Sequence, residues 1–244
     1  MKKILSLVLV CVLALCALPL ASAESLGEPV KLIVSLTAVS TDTHAKAMFE
    51  FEKVVEELSG GNIQVEVYTD ATLFTQEEEV VAVAGGDADM SLVSASWLTT
   101  GSPWIGMFTA GYVFKSYDHM TKVLNGEIGK EVFAKVSDEQ GILPLAAWYL
   151  GSRQISLSQD KEIKTPADLN GINLRMPNSE AWIFLGQALG ANPTPISFSE
   201  LYLALQTGVV DGQDNPLPTV ESAKFYEVQK SITITNHRVD SVGP

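Results

Sequence analysis

Cysteine is confined to the start of this 244-residue chain: Cys11 and Cys16 are the two it has. Both fall in a segment that reads as a removable leader. The remainder can then form no disulfide and offers no thiolate for catalysis or metal binding. Histidine is almost as scarce. His44, His119 and His237 are scattered without metal-ligand spacing and read as surface or packing residues. Basic residues are few as well: 16 Lys and Arg against 29 Asp and Glu give a formal charge of −13. That argues against nucleic acid or an anionic membrane surface as partner. There is no G-x-S-x-G elbow, no phosphate-cradling glycine loop with lysine, and no H-E-x-x-H. The acidic run Glu77-Glu78-Glu79 reads as the solvated face of a helix. No catalytic residue, metal or cofactor is expected, and no low-complexity linker divides the chain.

What is present begins with that leader. Lys2 and Lys3 precede an almost wholly apolar stretch over 4–18, and Ala21-Ser22-Ala23 supplies the small-x-small pattern that a signal peptidase cuts. The apolar run is short for a membrane span and too close to the cleavage site. A retained anchor is the alternative, and Cys16 behind Leu13-Ala14-Leu15 is a poor lipidation signal. Cleavage after Ala23 implies a periplasmic product, and losing the two lysines takes the charge from −13 to −15. An anionic ligand is still compatible with that acidity, because an enclosed site feels its own few arginines more than the net charge. With 46% hydrophobic and 18% charged residues, the remainder can bury a substantial core.

The mature chain alternates strand and helix. An apolar run over 31–36 suits a buried strand. Thr41-Asp42-Thr43 caps a helix to Leu58 that Gly60-Gly61 stops, and 63–67 alternates as a strand. A helix over 76–84 ends at Gly85-Gly86, and a third strand covers 90–93. The theme restarts with strands over 142–149 and 172–175. Thr165-Pro166-Ala167-Asp168 reads as a capped helical start. Ser179 starts a helix that Gly190 ends, and Ser197-Phe198-Ser199-Glu200 fits a capping box before a helix that Gly208 stops. This order implies parallel sheets flanked by helices. Two α/β lobes divided near residue 150 are the simplest organisation.

One cation stands out. Arg175 ends a short apolar strand, and a helix begins four residues later at Ser179. Open α/β sheets bind ligands where a strand's carboxyl end meets a helix N-terminus. Free N–H groups and the helix dipole favour an anion there, and a guanidinium fork matches a carboxylate. Ligand binding and an internal salt bridge are both open readings of Arg175 on this ground alone.

From Gly151-Ser152-Arg153-Gln154 through Thr235-Asn236-His237 the chain resembles the receptors of tripartite ATP-independent periplasmic (TRAP) transporters, the DctP family. The resemblance rests on Leu174-Arg175-Met176-Pro177-Asn178, Ala191-Asn192-Pro193-Thr194-Pro195 and Phe198-Ser199-Glu200-Leu201-Tyr202. It continues through Ala204-Leu205-Gln206-Thr207-Gly208, Asp211-Gly212-Gln213-Asp214-Asn215-Pro216 and Phe225-Tyr226-Glu227-Val228-Gln229-Lys230. Leu58-Ser59-Gly60-Gly61 and Gly86-Asp87-Ala88-Asp89-Met90 extend it loosely into the first half.

The resemblance implies a two-lobed periplasmic-binding-protein fold, each lobe a mostly parallel sheet flanked by helices. Residues 24–150 would form lobe I, 151–240 lobe II, and 241–244 the start of a strand returning to lobe I. It implies a monomeric receptor that closes over a small organic acid and delivers it to membrane permease subunits. Arg175 would hold the ligand carboxylate, with Arg153 on the same anion, Asn215 facing the cleft and Phe198 lining it. Ser35, Ser94 and Trp97 fall where family members place ligand-facing groups; strand-end hydrogen bonding and core packing are the alternative roles. Sialic-acid-binding members carry amide and carboxylate groups where this chain has Ser35 and Ser94, so a uronate, a dicarboxylate or another organic acid is implied as readily as a sialate. Compared with the family the chain stops early, at Val242-Gly243-Pro244. The resemblance therefore implies a missing C-terminal part, exposed apolar surface on both lobes and low stability. A secreted hydrolase of acidic sugars and a ligand sensor for a signalling receptor are the competing functions.

Overall fold

The computed structural model describes residues 28–244. The leader over 1–23, with Cys11, Cys16 and the cleavage point after Ala23, lies outside the described residues. The first sheet has three parallel strands in the order β2-β1-β3: β1 (Val30–Ser35), β2 (Ile63–Tyr68) and β3 (Met90–Ser91). At the end of β1 both Val34 and Ser35 are buried, as a parallel strand covered on both faces should be. Helix α1 (Thr43–Leu58) packs Ala45 and Met48 against Val34, Leu36 and Val65. Asp42 caps it, its carboxylate accepting the His44 N–H at 2.7 Å. Helix α2 (Glu79–Gly85) starts three residues later than the sequence suggests, because residues 76–78 form a turn.

Helices α3 (Tyr117–Leu124) and α4 (Glu127–Gln140) follow. The strand expected over 142–149 forms only from Trp148. Asn125 takes the place of a strand neighbour there, its side chain donating to the Ala147 carbonyl and accepting the Ala147 N–H, both at 2.8 Å.

The second sheet has the order β6-β5-β7-β4-β8. It consists of β4 (Trp148–Leu157), β5 (Asn173–Met176), β6 (Asn192–Pro195), β7 (Gly212–Pro216) and β8 (Ser231–Val242). β5 pairs in parallel with β6 and β7, whereas β4 runs antiparallel to both β7 and β8. Leu174 and Met176 of β5, Ile155 and Leu157 of β4, and Trp182 of α5 (Glu180–Ala188) form its core. Thr165 and Asp168 do form a capping box, but on a short 3₁₀ turn over Pro166–Leu169. Helices α6 (Phe198–Thr207) and α7 (Leu217–Ser222) complete the second lobe. The Ser197 capping box is not made, because the hydroxyl donates instead to Glu77 of the first lobe at 2.8 Å. β8 carries the chain back to the first lobe, where Gly243 bridges Val93.

Candidate functional site

Between the lobes lies a cavity of about 90 Å³. It is lined from the first lobe by Thr37, Asp42, His44, Gln76, Ser94 and Trp97, and from the second by Arg153, Arg175, Trp182, Phe198, Asn215 and Asp240. Side-chain hydrogen bonds cross between the lobes. Ser197 donates to Glu77, Ser222 donates to Asp42 at 3.2 Å, Thr41 donates to the Ser222 carbonyl at 3.3 Å, and Trp182 donates to Ser96 at 2.9 Å.

Arg175 reaches the cavity from the end of β5. It is 1% exposed, yet its hydrogen bonding is meagre. Nε donates to the Ile196 carbonyl at 2.8 Å, and Nη2 has no partner among the described residues. Its salt-bridge alternative is not realised among the described residues, where no carboxylate lies within ion-pair distance of it. Burial pushes the guanidinium pKa down to about 9, against the pull of Asp214. A buried cation without a counter-ion is expensive unless an anion arrives.

Arg153 is the opposite case. Nε donates to Asp214 Oδ2 at 2.7 Å and Nη1 to Asp240 Oδ2 at 2.8 Å. Nη2 donates to the Asp214 carbonyl at 2.6 Å and to Asn215 Oδ1 at 3.1 Å. Burial works to lower its pKa, but Asp214 and Asp240 outweigh it and raise the value. Burial likewise works to raise Asp214, yet Arg153 and the His237 hydrogen bond hold that carboxyl well below the usual carboxylate range. Arg153 is thus a neutralised wall of the cavity, and Arg175 carries the free donors.

The other sequence candidates divide. Asn215 lines the cavity with its amide donating to Gln213 Oε1 at 2.6 Å. Half-buried Phe198 lines it too, set edge-on to Phe225 at 5.8 Å. Ser94 and half-buried Trp97 are at the wall, Ser94 sharing a 2.6 Å hydrogen bond with Ser96. Ser35 is not on the lining. It is buried beneath, its hydroxyl 3.4 Å from Glu79, because it points to the α2 side of the first sheet.

Several cleft residues are absent from the sequence-based candidates. His44 and His237, read from the sequence as surface or packing residues, both belong to the cavity or its immediate support. His44 lines it, its ring 3.2 Å from Asp42; burial opposes the charged ring, but Asp42 holds its pKa above the ordinary value. His237 is fully buried, 3.1 Å from Asp214. Trp182, Asp214 and Asp240 were missed as well. The alternation of Arg238 and Asp240 on one face of β8, opposite Arg153 in β4, was the available clue.

A larger cavity of about 400 Å³ opens in the first lobe, among Val80, Leu98, Ile105, Phe108 and Phe133, and reaches Gly243 and Pro244. Its charged lining residues are Glu79 and Asp89, so it does not suit an anion. Among the described residues no cluster of His, Cys, Asp and Glu could hold a metal ion.

Two α/β lobes hydrogen-bonded across a cleft, with one uncompensated arginine in its wall, define a ligand-binding protein. Residues 34–242 match the family described as "Bacterial extracellular solute-binding protein, family 7", and the chain belongs to that family. The C4-dicarboxylate-binding periplasmic protein of Rhodobacter capsulatus is 35% identical over 88% of this chain and 64% of its own length. The solved TRAP periplasmic solute-binding protein of Roseobacter denitrificans, with bound 3-deoxy-D-manno-oct-2-ulosonic acid, is 44% identical. It superposes with a TM-score of 0.84 over 88% of this chain and 71% of that one. The succinate-bound TRAP protein of Sulfurospirillum deleyianum is 34% identical, with a TM-score of 0.83 over 88% and 69% of the two chains. The chain spans about two thirds of the length of the relatives it matches. The family and these relatives are described as solute-binding proteins, not as enzymes, which removes the hydrolase reading.

Proposed function

We propose that this chain is a periplasmic receptor of a TRAP-type transporter, monomeric and released from its leader after Ala23. In this reading residues 24–150 and 151–240 are its lobes, 241–244 begin the strand back to lobe I, and the closed complex is handed to membrane permease subunits. The ligand is a small organic acid, in keeping with the octulosonic acid, succinate and C4-dicarboxylates named for its relatives. The observation that carries the reading is the buried Arg175 side chain on the cavity wall, with Nη2 lacking a partner among the described residues. A ligand carboxylate supplies the missing acceptors and the missing counter-charge together. Asn215, Phe198, Ser94 and Trp97 surround that anion; Arg153 stiffens the wall behind it. Ligand binding favours closure because Arg175 and the first-lobe wall meet the ligand together only in the closed form.

The test is thermal. An acid present at about a thousand times its dissociation constant adds roughly 4 kcal/mol to the folded form. Arg175→Ala is expected to abolish that shift. A shift of undiminished size in the variant would remove Arg175 from the site.

A further inference from the structure

His44 ties three parts of the molecule together. It lies in the first turn of α1, in the first lobe, and lines the cleft. Its ring Nε2 is 3.1 Å from the Tyr149 carbonyl oxygen, and its Nδ1 is 3.2 Å from Asp42 Oδ1. Tyr149 belongs to β4, the strand that passes from the first lobe into the second. Trp148 packs on the first-lobe core, whereas Ile155 and Leu157 sit in the second-lobe core. The β4–β8 ladder shifts register between Tyr149 and Gly151, so the carbonyl that His44 meets is at the hinge. Asp42 reaches the other way. Its Oδ2 accepts the Ser222 hydroxyl of second-lobe α7 at 3.2 Å. Trp148 sets the plane of the imidazole, stacked 6.5 Å away at 25°.

Both ring nitrogens thus face oxygen acceptors. A neutral imidazole has one N–H, so it serves either Asp42 or Tyr149 and turns a lone pair towards the other. An imidazolium donates to both, through charge-assisted bonds. Burial opposes the charge, and so does the positive end of the α1 dipole. The Asp42 carboxylate and the Tyr149 carbonyl overcome the burial and hold the ring's pKa above its ordinary value. Burial would likewise raise Asp42, but His44 and Ser222 keep that carboxyl below its usual range. The other charged groups on the shared lining are committed elsewhere. Arg153 of β4 and Asp240 of β8 pair with each other, and Arg175 of β5 donates to the Ile196 carbonyl. On its outer side the ring meets Ser152 and Gln154 of β4, Asn236 of β8 and Leu217 of α7, none of them charged. The Tyr149 hydroxyl is turned to Ser152, with its ring against Tyr117 of α3.

We propose that His44 is a proton-dependent clasp on the hinge: its charged ring fixes the Tyr149 carbonyl and the Asp42 carboxylate in the arrangement that reaches Ser222, so that ligand capture takes up a proton. This rests on the reading that the lobes close over an acid, and His44 is a positioning residue for that closure. A closed form that raises the pKa of His44 gains protons as it forms. Its advantage fades as pH rises through the closed-form value.

The experiment is a calorimetric titration of the full chain at pH 6, 7 and 8. The probes are 3-deoxy-D-manno-oct-2-ulosonate and galactonate, acids bound by solved relatives, whose carboxylates stay ionised throughout that range. Repetition in buffers of different ionisation enthalpy gives the protons exchanged. Affinity is expected to be about tenfold higher at pH 6 than at pH 8, the worth of one charge-assisted hydrogen bond, with net proton uptake near pH 7. His44→Gln is expected to lose most of that gain. It keeps the slope that Arg175, with a pKa of about 9, and Glu79, of about 8, impose on both proteins. An acid bound equally well at pH 6 and pH 8, with no proton taken up, overturns the clasp and leaves the carboxylate reading intact. If neither acid binds, the carboxylate reading has failed, and the NMR titration of the His44 ring decides the clasp. A midpoint above about 6.5 supports it, and one at or below that value overturns it. These measurements on the parent chain stand whether or not His44→Gln folds.

Discussion

Trp182 and Ser96 are joined across the cleft: the indole N–H of α5 donates to the Ser96 hydroxyl at 2.9 Å, and both side chains are buried. Ser96 is in turn bonded to Ser94 at the cavity wall. The contact ties second-lobe helix to first-lobe turn beside the cavity, so it is expected to form when the lobes close. A hydrogen bond of this kind is worth about 1 kcal/mol net. Ser96→Ala, which leaves Trp182 under the Arg153 guanidinium, 4.3 Å from its ring centroid, is expected to weaken ligand binding about fivefold. Calorimetry on the variant checks it; unchanged affinity would place the bond in the open form as well.

The two cleft arginines are expected to respond to mutation with opposite signs. Arg153→Met strips Asp214 and Asp240 of their main counter-charge inside the protein, and breaking a buried pair costs about 3–5 kcal/mol. Arg175→Met removes a buried cation whose one hydrogen-bond partner among the described residues is the Ile196 carbonyl. Its unliganded stability should hold within about 1 kcal/mol, the value of that one bond, or rise, while acid binding is lost. Thermal midpoints of the two variants, each with and without ligand, read this out. A large loss of stability in unliganded Arg175→Met would make that residue structural.

Much of the fold was legible because local chemistry and tertiary role agree. Asp42 caps α1, Gly86 and Gly208 end their helices in the left-handed conformation, and the apolar run of β5 is buried as read, whereas that of β1 is fully buried only from Val34 on. Sequence misled where a side chain found a distant partner. Ser197 gave up its helix cap for Glu77, 120 positions away. Asn125 replaced a strand neighbour for Ala147. Arg175 was findable because strand end and helix start frame it within five residues. The support of Arg153 was not, since Asp214, Asp240 and Trp182 come from β7, β8 and α5 and meet only in three dimensions.

The glycine of the Gly-Ser-Arg-Gln block has a steric cause. Gly151 lies at a register shift between β4 and β8 with φ +138°, and a Cβ there would stand 2.5 Å from Pro216 Cβ. Pro216 follows Asn215, so relief of the clash would move the wall that Arg153 and Asn215 build. Gly151→Ala is expected to destabilise by about 2 kcal/mol or more, from backbone strain and overpacking together. Urea unfolding measures it, and a loss below about 0.5 kcal/mol, the ordinary scatter of surface changes, would show that the strand yields freely.

Glu79 gives the chain a pH dependence that runs against the usual acidic case. Burial raises its carboxyl to about 8, overcoming the nearby Ser91, Thr37 and Ser35 hydroxyls, which favour the ionised form. In the unfolded chain the group titrates near 4.5. Between those values the native state holds a proton that the unfolded state has released. Stability from this group is therefore complete below pH 4.5 and falls as pH rises towards 8. Several kcal/mol are at stake by the linkage relation, enough to matter in a marginally stable fold. Glu79→Gln mimics the protonated side chain, so its unfolding free energy should be flatter between pH 5 and about 8 and should exceed that of the parent at pH 8. Denaturant melts at pH 5, 6.5 and 8 compare the two. Parallel curves across the series would mean that Glu79 is ionised in the native state and that solvent reaches it.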